Sequence, residues 1–568
     1  MKKRPNILLI TSDQQHYSML GAVNAKLKTP NLDRLASEGA VCTRAYCPNP
    51  TCTPSRSSIL TGMYPSHHGA WSLGTKLPET APTINDTLHE NGYRTALIGK
   101  AHFQPLASTP EYPSLEAPEK LHDLDFWRNF HSGFYGFDHI ELLRNHTAEQ
   151  HVGQHYALWM EENGLKDWRK YFFPPEGRMP FRGMGTWKLP ERYHYNTWIA
   201  ERTNAMLEEY KKDDHPFFLW ASFPDPHYPQ LVPAPWDKMY RPQDMEMQEF
   251  SFKEHDKNPP YYREVFKRFP NFKPYRETGF GIHGLYRQPY HKKELQRQLA
   301  YAYGMVSFMD KYIGKILDKL RELDLEKDTI IVFTTDHGDM FGQHGLRHKC
   351  IFHYEDLLKI PMIVKYAGHV PAGSRIEGIQ SLIDLAPTFL SLCGIPVPEH
   401  MDGVDESAVW AGQADSAREY AICENRHEPH TMNMRSYMEE RYKSTVHDGR
   451  AYGELFDLQS DPEEHDNLWD SDAHRAIKAE VLFRFAMAEM EKAKGHPTRC
   501  TFTEGGFELQ IDRTNKTGKI FNLVSDPERQ ENLWENPNDL DVKIRLLLRC
   551  ITYRMANEPM WMPRITSA

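Results

Sequence analysis

Cys52-Thr53-Pro54-Ser55-Arg56 lies within the run PNPTCTPSRSSILTGMYPSHHG. Pro48, Pro50 and Pro54 fix the backbone on both sides of Cys52 and are expected to keep a helix from running through it. Residues 57–62 then read as a helix stopped by Gly62, with Cys52 at its N-terminus and Arg56 one turn on. Backbone N–H groups, the helix dipole and a guanidinium would all favour an anion there. Taken alone, Cys52 reads as an ordinary free cysteine, reactive or buried, as readily as a specialised nucleophile. Elsewhere the chain offers Asp13-Gln14, Lys100, His102, His227, Asp336-His337 and Lys349. Carboxylate and amide oxygens, imidazoles, two lysines, an arginine and a masked nucleophile suit transfer of a small tetrahedral oxyanion. A divalent cation would polarise that group and the cationic side chains would neutralise its charge. Hard oxygen ligands favour calcium, magnesium or manganese over zinc.

Strands are expected just ahead of most of these residues. The apolar run 6–12 ends at Asp13-Gln14, and 94–99 leads to Lys100-Ala101-His102. Residues 217–222 end in Phe223-Pro224-Asp225-Pro226-His227-Tyr228-Pro229, whose prolines aim the histidine rigidly. The clearest buried strand, 329–335, ends at Asp336-His337, and another follows at 361–366. Continuous apolar runs of this length belong to buried parallel strands, whose C-terminal ends gather functional groups at one edge. Helices are expected over 29–39 (capped, with a glycine stop), 84–92, about 293–323 and 383–394.

The 568 residues are too many for one compact core and imply two domains, or one large domain with an appendage. Hydrophobic content of 40% and 12% aromatics describe a folded globule rather than a disordered chain. A formal charge of −10 gives no reason to expect nucleic acid, and an anion site in such a chain must be a local positive pocket. No apolar run approaches the ~20 residues that span a bilayer. The basic start Met1-Lys2-Lys3-Arg4 precedes an apolar segment, 7–10, too short for a signal peptide, so a cytoplasmic location is expected. The eight cysteines are scattered; Cys42, Cys47 and Cys52 fit no zinc spacing, and Cys42 and Cys47 read as small core residues. Residues 105–200 and 230–295, rich in aromatic and basic side chains without clean periodicity, read as insertions over the site. ELFDLQSDPEEHDNLW, 454–469, recurs as KIFNLVSDPERQENLW, 519–534. The plain reading is a duplicated hairpin; an oligomer contact is the second. The tail, with Met555, Met560, Trp561 and Met562, is apolar enough to need a covering surface, its own or a neighbour's, which makes a homo-oligomer an expectation.

C-x-P-S-R followed by S-x-L-T-G resembles the signature of type I sulfatases, in the alkaline phosphatase superfamily. TPNLDRLASEGAVCTRAY (29–46), the Gly99-Lys100-Ala101-His102 element, Ser222-Phe223 with Pro226-His227-Tyr228-Pro229, TTDHGDMFGQHGLRHK (334–349) and the 383–394 helix resemble the family's other elements, in order. The resemblance implies an α/β fold, a large mixed, mostly parallel sheet flanked by helices. A catalytic domain over 1–410 and a smaller C-terminal α+β domain over 411–568 would follow. It implies that a maturation enzyme oxidises Cys52 to formylglycine, whose hydrate attacks the sulfur of a small-molecule or saccharide sulfate ester. Asp13, Gln14, Asp336 and His337 would hold one divalent ion beside residue 52. Arg56 would steady the hydrate's oxyanion, Lys100 and His102 would contact the sulfate, and Lys349 and His227 would bind substrate and neutralise or protonate the leaving oxygen. His102 would deprotonate the second hydroxyl so that sulfate leaves. Two positions depart from the commonest pattern: Asp-Gln and Asp-His stand where Asp-Asp and Asp-Asn are usual. This lowers the site's charge, sets manganese or magnesium beside calcium, and resembles phosphonate monoester hydrolases. Hydrolysis of phosphonate monoesters or phosphodiesters is therefore the alternative, and a catalytically silent binding protein a third reading.

Overall fold

The computed structural model describes residues 4–144, 151–172, 183–493 and 495–568. The basic start at residues 1–3 and parts of the 105–200 stretch lie outside the described residues. In chain order the first strands are β1 (Asn6–Ser12), β2 (Ala40–Tyr46), β3 (Arg94–Lys100), β4 (His139–Leu143), β5 (Met184–Thr186), β6 (Phe217–Ser222), β7 (Gln230–Val232), β8 (Thr329–Thr335), β9 (Lys359–Lys365) and β10 (Ser374–Ser381). Eight of them form one sheet in the order β10-β2-β9-β8-β1-β6-β3-β4, while β5 and β7 pair separately. Only β9 runs antiparallel to its neighbours in that sheet.

The apolar runs follow from burial on both faces. Ile7 and Leu9 of β1 pack with Ile330 and Val332 of β8 on one side. Leu8 and Ile10 pack with Ile331 and Phe333 on the other. The second face is covered by the helices Tyr195–Tyr210 and Lys292–Glu322, the latter laying Phe308, Tyr312, Ile316 and Leu320 against the sheet. The first face carries Cys52–Thr61 and Leu385–Leu392.

Three local expectations need correction. The stretch 105–200 is not only an insertion: it contributes the edge strand β4 and the start of the sheet-covering helix Tyr195–Tyr210. Pro30–Glu38 is a helix that stops at Gly39 as expected, but the Thr29 side chain makes no capping hydrogen bond to its backbone and Gly39 is not left-handed. A Cβ on Gly39 would lie 2.2 Å from the Val364 carbonyl oxygen, so close strand packing requires the glycine. The helix body expected over 57–62 also begins earlier, at Cys52, as described below.

Beyond the main sheet come β11 (Tyr420–Arg426), β12 (Asn433–Glu439), β13 (Tyr442–His447) and β14 (Gly453–Asp457), an antiparallel meander followed by the helix Arg475–Lys492. Then β15 (Arg499–Glu504), β16 (Phe507–Asp512) and β17 (Thr517–Asn522) form a second meander, followed by the helix Leu540–Asn557. The repeated turn thus belongs to a repeated unit, since the last strand pairs and the helices recur at the same spacing. In each copy an Asn (Asn467, Asn532) accepts from the backbone N–H groups of the preceding strand and of the Trp two residues on. That Trp packs on a strand glycine, Gly453 or Gly518. A lysine from the following helix, Lys478 or Lys543, sits 3.7 Å from its ring centroid. The C-terminal tail is seated on the protein's own surface: the Trp71 indole donates to the Met562 carbonyl, and the Leu106 N–H to the Ala568 carbonyl.

Candidate active site

The strands β8, β1, β6 and β3 are consecutive in the sheet. Their C-terminal ends therefore deliver Asp336-His337, Asp13-Gln14, the loop carrying His227, and Lys100 to one edge. Register aligns Ser12 with Thr335, so Asp13 and Asp336 leave their strands side by side. Against this edge stands the fully buried helix Cys52–Thr61, closed by Gly62 at φ +67°. It begins at Cys52 itself. Pro54 falls in the first turn, where a missing N–H breaks no helical hydrogen bond, so the prolines frame the helix start instead of excluding it.

Arg56 is wholly buried. Its Nε donates to Asp336 Oδ2 (2.9 Å), Nη1 to the Lys100 carbonyl (3.0 Å) and Ser222 Oγ (2.8 Å), and Nη2 to the Ser12 carbonyl (3.4 Å). Asp13 Oδ2 is 3.6 Å from Nη2. With its donors ending on protein, Arg56 reaches the site through its charge and its hold on Asp13 and Asp336.

Ligand atoms of Asp13, Cys52, Asp336 and His337 lie within 4.8 Å of one another. His337 Nδ1 faces its neighbour's carbonyl, Gly338 O, at 2.9 Å; donating there leaves the Nε2 lone pair for the site, 3.2 Å from Cys52 Sγ. The Gln14 amide N–H donates to Asp339, and its Oε1 is buried with no donor among the described residues. An amide oxygen without a donor, two carboxylates and an available imidazole nitrogen fit a divalent cation.

Lys349 Nζ lies 2.8 Å from Cys52 Sγ and 3.0 Å from His227 Nε2. His227 Nδ1 is 2.6 Å from the Tyr228 carbonyl, which fixes Nε2 as the acceptor. Burial works against the Lys349 charge, but Cys52, Asp13 and Asp336 outweigh it and raise its pKa. Burial and Asp13 oppose a Cys52 thiolate, while Lys100 and Lys349 favour it, and the thiol falls below its ordinary value. Lys100 pairs with Asp13 and is 3.9 Å from Cys52 Sγ. His102 sits at φ 59°, its N–H on Glu116 Oε1 (2.9 Å). Both its ring nitrogens are buried without partners among the described residues. Burial, then Arg144 and Lys100, push its pKa well below the usual value, so it stands neutral and able to accept a proton.

The sequence reading missed several residues here. Arg144, just past β4, is buried, with Nη1 3.4 Å from Glu116 Oε2 and no partner for Nη2 among the described residues. Glu116 holds the backbone of both His102 and Gln104. Asp339 orients Gln14. Asp225 accepts from Tyr195 and from Asn196 (2.7 Å), and burial lifts its pKa to about 7. Only Asp339 carried a signal, as the second carboxylate of Asp-His-Gly-Asp.

Residues 5–395 match the sulfatase family, and 342–492 match the C-terminal region of N-sulphoglucosamine sulphohydrolase. The chain belongs to the sulfatase family, whose members are sulfuric ester hydrolases. It is 27% identical over 473 residues to the uncharacterized sulfatase YidJ of Escherichia coli, covering 82% of this chain and 84% of that one. It is 27% identical over 518 residues to an arylsulfatase of Clostridium perfringens, covering 86% and 95%. In fold it is similar to the phosphonate monoester hydrolase SpPMH from Silicibacter pomeroyi (TM-score 0.70, 22% identity, 90% and 100% covered). The C-terminal match stops at 492, so the second copy of the repeated unit lies beyond both family matches.

Proposed function

We propose that the protein hydrolyses monoesters of sulfate carried on an aryl or carbohydrate alcohol, through a nucleophile derived from Cys52. The observation that supports this reading most is the convergence on Cys52 Sγ of Lys349, His337, Asp13 and Lys100, all within 3.9 Å. Cys52 is the residue a maturation enzyme would oxidise to formylglycine, whose hydrate supplies an oxygen nucleophile and a second hydroxyl. Asp13, Gln14, Asp336 and His337 would hold a divalent ion, calcium, manganese or magnesium, which when bound neutralises charge on the ester oxygens.

The chain's own side chains fill the remaining roles. Lys100 and Lys349 flank residue 52 and would bind the sulfate oxygens. Lys349, protonated and touching His227, would hand a proton to the departing alcohol oxygen, and His227 Nε2 would share the resulting charge. Neutral His102 would take the proton from the second hydroxyl, whose O–H electron pair forms the aldehyde C=O while the bond from the residue-52 carbon to the sulfate oxygen breaks and its pair leaves on sulfate. Arg56 keeps both carboxylates placed throughout.

A phosphonate monoester is the second reading, because the Asp-Gln and Asp-His pairs carry one carboxylate fewer than the usual sulfatase set. Cys52→Ala tests the first. Loss of aryl sulfate hydrolysis with an unchanged melting curve is expected, and retention of wild-type kcat would refute it. The ratio of kcat/KM for an aryl sulfate over the matching aryl phosphonate monoester separates the two readings.

A further inference from the structure

Outside the active site, Glu254, His344 and His465 come together from three distant parts of the chain. Glu254 lies on the short helical turn Phe252–Asp256, His344 on the turn Gln343–Gly345, and His465 in the first copy of the repeated turn. Glu254 Oε1 is 3.1 Å from His344 Nδ1, and its Oε2 is 3.2 Å from His465 Nδ1. The three ligand atoms lie within 4.8 Å of one another.

The far ring nitrogens both face carboxylates. His344 Nε2 is 3.5 Å from Asp356 Oδ2, and His465 Nε2 is 3.2 Å from Glu463 Oε2. Asp356 is itself held by His16 Nε2 at 2.7 Å. A carboxylate behind each imidazole is the arrangement that orients metal-bound histidines and strengthens them as ligands. His344 is further fixed by stacking on Tyr354 (3.7 Å, 5° between planes) and by its N–H on Gln248 Oε1 (2.9 Å). The His465 side chain is 37% exposed, leaving one side open for an ion and water to enter.

His344 is completely buried. In a tetrahedral site with metal–ligand bonds of about 2.0–2.1 Å, neighbouring ligand atoms are about 3.3 Å apart. The separations of 3.1 and 3.2 Å are near that edge length.

We propose that Glu254, His344 and His465 form a second divalent-cation site, of zinc class, which braces the 230–295 stretch and the first repeated turn against the segment leading to Lys349. Two imidazoles and one carboxylate are softer than the oxygen-rich set at Asp13 and Asp336, so the two sites would select different ions. Its function is structural, since no ligand atom reaches Cys52.

The test counts zinc. Full-length protein stripped with a chelator is dialysed against Zn2+ and its metal content measured, in the wild type, in Asp13→Asn/Asp336→Asn, and in that double variant with His465→Ala or Glu254→Gln added. The double variant is expected to retain one zinc per chain and to show tetrahedral visible bands when loaded with Co2+. Either added substitution should lower zinc affinity at least tenfold while the circular dichroism spectrum stays unchanged. A double variant that binds no zinc, or one whose zinc is unaffected by both added substitutions, would overturn the proposal. Because the readout needs no turnover, it stands apart from whether sulfate is the substrate.

Discussion

The Gln14 side chain donates its amide N–H to the Asp339 carboxylate, and this one bond leaves the Gln14 carbonyl oxygen buried without a donor among the described residues. An amide can present either end, and Asp339 decides which. In the proposed metal site, a carboxylate outside the ligand set would thereby turn a neutral residue into an oxygen ligand. Asp339→Ala should weaken divalent-metal affinity about 10–100-fold, with little effect on thermal stability in the metal-free state. Metal titration of the stripped protein measures this; unchanged affinity would show that Gln14 needs no such support.

Lys349 bridges Cys52 and His227, where the proposed mechanism needs its proton donor. Lys349→Ala should lower kcat by about 10²–10⁴ for an ester of an ordinary alcohol. The loss should shrink for an ester of 4-nitrophenol, which leaves without protonation. Equal losses for both esters would remove Lys349 from the acid role.

Arg144 offers one guanidinium arm without a partner among the described residues, in the surroundings of His102. An anionic group of the substrate would complete it, at about 1.5–3 kcal/mol for a charged hydrogen bond. Arg144→Met is therefore expected to reduce kcat/KM about 10–100-fold, chiefly through KM. A substrate with no second anionic group should show a smaller loss, and steady-state kinetics on the two substrate types decides it.

The position of these groups was legible to different degrees, for physical reasons. Asp13, Lys100, His227 and Asp336 each follow a strand buried on both faces, and such strands leave continuous apolar runs in the sequence. Glu116 and Arg144 left no mark, because β4 is only five residues long and sits in an aromatic stretch whose order comes from tertiary packing. Cys52 was read correctly as a helix N-terminus, but the helical first turn over 52–56 was hidden by Pro54, which tolerates a first turn as readily as it breaks a later one. The repeat showed only at its turn. There Asn467 and Asn532 each satisfy two backbone donors, and Trp469 and Trp534 each fit against a glycine, so few substitutions are tolerated. The helices that follow need only an apolar face, and their sequences differ freely.

Acid should unfold the protein for a nameable reason. His155 Nδ1 accepts the Leu142 N–H (2.9 Å) and its Nε2 faces the Phe130 carbonyl (2.9 Å). His68 Nδ1 likewise accepts the Ala70 N–H (3.2 Å). Burial pushes both pKa values down to about 3. In the unfolded chain each takes a proton near pH 6.5. From pH 6.5 down to about 3 the unfolded state binds more protons, so stability held above pH 6.5 is lost on acidification. Each group contributes up to about 1.4 kcal/mol per pH unit in that window. The melting temperature should fall between pH 7 and pH 5, less steeply in His155→Gln. A flat profile, or the same slope in the variant, would contradict this.

The most direct measurement of the central claim is the mass of the peptide spanning Cys52, taken from protein made in a host that has the maturation enzyme and shown to hydrolyse a sulfate ester. Conversion of the thiol to an aldehyde lowers the mass by about 18 Da. The account predicts that loss, in a fraction that tracks specific activity across preparations. A fully active preparation whose Cys52 peptide retains the unmodified thiol mass would contradict it.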